Sequence, residues 1–191
     1  MKASLVMCLL VMNFLTTRAQ ESINGRSIPI TVTVFSESVG LPNFKGFFKN
    51  PNLGIRIGTE FYYSNKTGHQ AVQTLNIGYY YHKDFQSGVY LSSEIGYRKL
   101  FGDFFLDGTL GGGYLLVTSA LPRYKKVGDN FEKISNTFVR FMPTLGIGAG
   151  YRFNSISLFS RYEMFGEMPF GFKDLPALPH KTLHVGTRFN L

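Results

Sequence analysis

The chain has 191 residues, with 20 Lys and Arg against 12 Asp and Glu (net charge +8), 17% charged residues and a single cysteine. Its length suits one domain with a sizeable core, and one cysteine excludes an internal disulfide framework. The 21 glycines and 30 aromatics (11 Tyr, 19 Phe) are a high pairing that fits close-packed β walls joined by tight turns.

Residues 1–19 read as a secretory signal, with Lys2 as a positive start, Leu5 to Leu15 as an apolar run and Thr17-Arg18-Ala19 as a small-x-small cleavage site. The run is too short for the roughly 20 residues of a membrane-crossing helix. Cleavage after Ala19 leaves a short segment over 20–27. It also removes Cys8, Lys2 and Arg18, so 18 basic residues face 12 acidic ones, a net +6. Export argues against nucleic acid as a partner and makes anionic lipid the better candidate.

From residue 28 onward no stretch reaches 18 apolar residues, and alternation with period two takes over. In Leu53-Gly54-Ile55-Arg56-Ile57-Gly58-Thr59-Glu60-Phe61, one face carries Leu, Ile, Ile, Thr and Phe and the other Gly, Arg, Gly and Glu. The pattern predicts eight strands, near 28–36, 54–63, 70–82, 88–99, 104–118, 137–151, 155–164 and 180–191. Most are ten or more residues long, which suits membrane-spanning strands (about 9–11 residues) better than ordinary ones (about five or six). Connections 37–52, 119–136 and 165–179 are long, whereas 64–69, 100–103 and 152–154 are short. With a periplasmic N-terminus the long ones fall outside the cell and the short ones inside, the asymmetry of transmembrane barrels. Pro143 removes one ladder donor from the sixth strand and predicts a bulge there.

The charges say which face looks inward. Most lysines sit in connections or at strand ends, whereas a water-washed sheet surface would carry them mid-strand. The mid-strand charges are Arg56, Glu60, Glu94, Arg98, Asp107, Arg140, Arg161, Glu163 and Arg188, all on the polar face. Five cations and four anions predict a lumen network in which one charge is left for water or the mouths. Gly54, Gly58, Gly78, Gly96, Gly111, Gly113, Gly146, Gly148 and Gly186 share that face and make room for it. The other face offers Ile55, Ile57, Leu75, Ile77, Leu91, Ile95, Leu106, Leu110, Leu145, Ile147, Leu158, Leu183 and Val185 to lipid. Tyr63, Tyr97, Phe104, Tyr151 and Phe189 flank this band at one end, and Tyr79, Tyr81, Tyr114, Phe141 and Tyr162 at the other.

The last segment, Leu183-His184-Val185-Gly186-Thr187-Arg188-Phe189-Asn190-Leu191, resembles the closing strand of the small eight-stranded outer-membrane β-barrel proteins of Gram-negative bacteria. Leu191 stands where those families usually end in an aromatic residue, with Phe189 two positions earlier on the same face. The resemblance implies an all-β, closed, antiparallel up-and-down barrel over 28–191. It also implies an outer-membrane location and recognition of the last strand by the barrel-assembly machinery. Some such barrels are enzymes that modify lipid A, but the His-x-Ser pairing of lipid A deacylases is missing at His69, His82, His180 and His184, which leaves Ser157 with a histidine on another strand as a candidate. His180 and His184, about 13 Å apart on a strand, cannot share a metal. Gly146-Ile147-Gly148-Ala149-Gly150 lies within a strand pattern and opens no helix, so it is barrel wall, not a dinucleotide loop.

No catalytic, cofactor-binding or metal-ligating set is identified. The reading is a non-enzymatic barrel with a plugged polar lumen and an envelope-structural or surface-contact role. Its alternatives are a lipid A-modifying enzyme on the same fold and a soluble periplasmic lipocalin-like barrel. Lys45, Lys49, Arg123, Lys125, Lys126 and Lys173 of the external connections are the candidate lipopolysaccharide contacts.

Overall fold

A computed structural model of the protein describes residues 28–43, 47, 51–83, 85–127, 130–169 and 177–189, with only the backbone at 123 and 125–127. Cleavage at Ala19, the segment 20–27 and the terminal Leu191 lie outside these residues. No helix among them is long and apolar enough to cross a membrane.

The alternating segments form eight long strands, β1 (Ile30–Val39), β2 (Asn52–Lys66), β3 (His69–His82), β4 (Gln86–Phe101), β5 (Phe104–Ser119), β8 (Thr137–Phe153), β9 (Ile156–Glu167) and β10 (Leu178–Phe189). Between β5 and β8 the chain makes a separate hairpin, β6 (Arg123–Val127) with β7 (Asn130–Ile134), where the sequence reads as one long connection. Each long strand pairs antiparallel with its neighbours, and β1 pairs with both β2 and β10, so the sheet closes and leaves no edge.

Residues 67–68, 102–103 and 154–155 turn the chain at one end, with Gly102 (φ 66°) and Asn154 (φ 45°) taking the left-handed conformation that such tight turns favour. The longer connections, 40–51, 120–136 and 168–177, all lie at the other end, with the short 83–85 among them. Most strands run beyond the segments read from alternation, because pairing continues past the apolar band.

The bulge expected at Pro143 is absent. Pro143 pairs in register with Gly112, and the one register shift in the barrel lies between Tyr62 and Ser64. Phe141 exchanges both of its backbone hydrogen bonds with Met168 (2.7 and 2.9 Å), so Pro143, two residues on, turns its nitrogen to the same β9 side. There the ladder lapses between the Phe141–Met168 bridge and the Thr144–Phe165 pair, and no donor is needed.

Inside, Phe35, Tyr80, Tyr90, Leu115, Val117, Met142 and Phe165 form an apolar layer toward the loop end. Leu100, Phe105 and Phe159 form a smaller one toward the turns. The charged residues lie between and around these layers.

Candidate functional site

Eight charged side chains from five strands meet in the lumen as a ladder of alternating sign. Glu163 (β9) accepts a hydrogen bond from Arg56 (β2) at 2.8 Å, and Arg56 reaches Glu94 (β4) at 3.7 Å. Glu94 accepts from Arg161 (β9) at 3.3 Å, and Arg161 donates to Asp107 (β5) at 3.3 Å. Asp107 accepts from Arg98 (β4) at 3.3 Å, and Arg98 grips Glu60 (β2) with two bonds of 2.9 and 3.1 Å. Glu60 finally accepts from Arg188 (β10) at 2.7 Å. Four cations thus meet four anions, all buried, and the ladder neutralises itself without a counter-ion. Buried charges persist only when paired in this way. Phe105 lies under Arg98 and Arg188 at 5.1 and 5.4 Å from its ring centre, adding cation–π support.

Arg140, the ninth mid-strand charge, does not join the ladder. It stands near the loop end, 3.3 Å from Glu167 and 4.4 Å above the Phe138 ring. Its partner was hidden in the sequence because Glu167 falls in the stretch read as a connection. Glu167 belongs to a second cluster that the alternation argument also misses. His180 places Nδ1 2.8 Å from Glu37 and Nε2 3.6 Å from Glu167, and its ring stacks on Phe165 at 4.4 Å. His82 approaches the other oxygen of Glu37 at 3.0 Å, and Gln86 donates to Glu167 at 3.0 Å and to Tyr80 at 2.8 Å. This cluster ties β1, β3, β4, β8, β9 and β10 together near the mouth at the loop end.

Outside, the faces are inverted relative to a water-soluble barrel. Ile57, Ile77, Leu91, Ile95, Leu110, Leu145, Ile147 and Val185 all point away from the lumen and are about half or more exposed. On β5 the aromatic limits of this band are Phe104 and Tyr114, ten residues apart. At about 3.3 Å per residue and a tilt of about 45° that is roughly 23 Å, close to the about 25 Å apolar band of outer-membrane barrels.

The chain folds as a small outer-membrane β-barrel. Among solved structures it is similar to Neisserial surface protein A, with 9% identity and a TM-score of 0.58 over 88% of this chain and 98% of that one. Ail, the attachment invasion locus protein of Yersinia pestis, gives 12% and 0.53 over 87% and 99%. The outer membrane enzyme PagL gives 13% and 0.51 over 85% and 99%. At such identities the likeness is one of fold. No protein-family model matches the sequence, and no curated protein matches it.

Within this barrel two expected lipid-facing residues are not exposed. Tyr162 and Leu183 are half-buried, and Tyr162 is covered by Phe47 of connection 40–51. Ser157 is buried in the lumen with Arg152 and Arg188 as its register neighbours, and no histidine stands opposite it. His184 faces inward, 2.9 Å from the Thr182 hydroxyl and tilted against the Phe35 ring, and His69 stacks on Tyr97 at the turn end. Among the described residues no group of three or more His, Cys, Asp or Glu is arranged to hold a metal. Lys45, Lys49 and Lys173 lie outside the described residues, as do the side chains of Arg123, Lys125 and Lys126.

Proposed function

We propose that this protein is exported to the outer membrane and acts there as a non-enzymatic barrel with a plugged lumen, in an envelope-structural or surface-contact role. The ladder carries this reading. Eight strands enclose room only for side chains, and here those side chains neutralise each other instead of lining a path. The apolar outer wall supports a lipid environment, since in water it would expose a large continuous patch. The tight turns then face the periplasm, and the long connections with Lys45, Lys49, Arg123, Lys125, Lys126 and Lys173 face lipopolysaccharide phosphates. The closing strand β10 is the segment that the barrel-assembly machinery would read.

A planar-bilayer recording tests the plug. The purified protein should give no stable conductance, and large ohmic steps would overturn the reading. An enzyme on the same fold, with lipid A as the expected substrate, is the second reading, since the similarly folded PagL is an outer membrane enzyme. Mass spectra of lipid A from cells with and without the protein would differ in that case and coincide in ours.

A further inference from the structure

One sector of the outer wall departs from the apolar rule at the turn end. On β1, β5, β8, β9 and β10 the outward residues at that end are Ile30, Phe104, Phe153, Ile156 and Phe189, all apolar and all exposed. On β2, β3 and β4 the outward face there carries Lys66, His69 and Lys99. Lys66 pairs in register with His69, and His69 with Lys99, so the three stand in one row on the same face. Neighbouring strands are about 4.8 Å apart, which makes the row about 10 Å wide. Two flexible ammonium groups can therefore converge on one small anion beside the imidazole.

No carboxylate among the described residues neutralises this row. None of the three forms an ion pair there, and neither does Asp103, the exposed acid of the 102–103 turn, whereas every charge of the lumen ladder has a partner. Lys99 is not a turn residue. It stands on the wall between Tyr97 and Phe101, both more than half exposed. A charge so placed is tolerated where its long stem carries the ammonium to the headgroups. Tyr97 also stacks on His69, with ring centres 5.8 Å apart, and holds the imidazole in the middle of the row. The register neighbour of Tyr97 is Gly108, where a methyl group would find no atom nearer than 4.0 Å. The wall thus leaves an open hollow beside Tyr97, on the mid-membrane side of the cations.

Resting on the membrane reading above, we propose that Lys66, His69 and Lys99 bind the headgroup phosphate of an anionic glycerophospholipid in the leaflet at the turn end, with one of its chains in the hollow at Gly108. The two ammonium groups and an imidazole N–H donate to the phosphate oxygens, and charge-assisted bonds of this kind are the strong ones. A zwitterionic headgroup brings a cation of its own to the row and so fits it less well. A second copy of this chain in the same orientation fits it worse, because symmetry would set the same cations against each other at the same depth.

The chain contains no tryptophan, so a single introduced one reports on its surroundings. Phe101→Trp places the reporter beside Lys99, and Phe189→Trp places it on β10, four strands away around the barrel, as a control. Each protein is refolded at low salt into phosphatidylcholine vesicles that contain the same small fraction of dibrominated phosphatidylglycerol or dibrominated phosphatidylcholine, and quenching of the tryptophan is compared. Phosphatidylglycerol should be preferred about fivefold or more at 101, the attraction of one lysine or more to an anionic headgroup, and clearly less at 189. Lys66→Gln/Lys99→Gln should bring the preference at 101 down to that at 189, with migration on a gel run without boiling to show that the variant is folded. No preference at 101, the same preference at 189, or a preference that survives the glutamine pair would overturn the site. A Leu110→Trp variant quenched by neither brominated lipid would instead overturn the membrane reading itself.

Discussion

Glu60 is the most heavily used carboxylate of the ladder and so the sharpest place to test it. It holds Arg98 with two hydrogen bonds (2.9 and 3.1 Å) and Arg188 with one (2.7 Å), and Tyr62 donates to it at 3.1 Å. Glu60→Gln keeps the volume and removes the charge. Arg98 retains Asp107, which it shares with Arg161, and Gln70 at 3.0 Å. Arg188 loses the only carboxylate within salt-bridge distance of it among the described residues. Leaving one buried charge uncompensated costs about 3–5 kcal/mol, or roughly two to three and a half orders of magnitude in the folding equilibrium. The assay is urea titration in lipid vesicles, read as the folded fraction on a gel run without boiling. Glu60→Gln/Arg188→Gln restores neutrality and should recover part of the loss. A single variant within about 1 kcal/mol of the parent, or a double variant with strictly additive losses, would refute a coupled, water-excluded ladder.

The glycines and the outer face supply further tests. At Gly111 a methyl group would sit 2.2 Å from the Ser93 carbonyl oxygen and 2.5 Å from the Glu94 Cα, whereas at Gly108 the nearest atom is 4.0 Å away. In the same titration Gly111→Ala should therefore cost about 1–3 kcal/mol by overpacking against backbone, with Gly108→Ala close to neutral. On the lipid face, Leu110→Arg at mid-height should cost about 2–4 kcal/mol and Val139→Arg near the loop end about 0–1 kcal/mol. Equal costs would place the membrane elsewhere. Neutralising Arg123, Lys125 and Lys126 together should weaken lipopolysaccharide association by up to about 1 kcal/mol per charge, an effect that fades with salt. Unchanged binding at low salt would remove these residues from the proposed contact.

Alternation is local, and the sequence by itself determines what is local. Side chains on a strand point to opposite faces whatever the strand pairs with. Hence the strands, the inward face with Arg56, Glu60, Glu94 and Arg98, the outward isoleucines and leucines, and the parity of long and short connections can all be read along the chain. The ladder's pairings could not be read that way, because Arg56 meets Glu163 and Glu60 meets Arg188 across 107 and 128 residues. Register and barrel closure decide which charges reach each other across the lumen. Glu37, Glu167 and His180 were hidden for a related reason, since they lie at strand ends where the apolar band has already stopped. Tertiary structure alone decides the fate of Tyr162 and Lys181, because their outer face is set by alternation but its cover comes from Asn43 and Phe47, which the chain brings back against β1, β9 and β10.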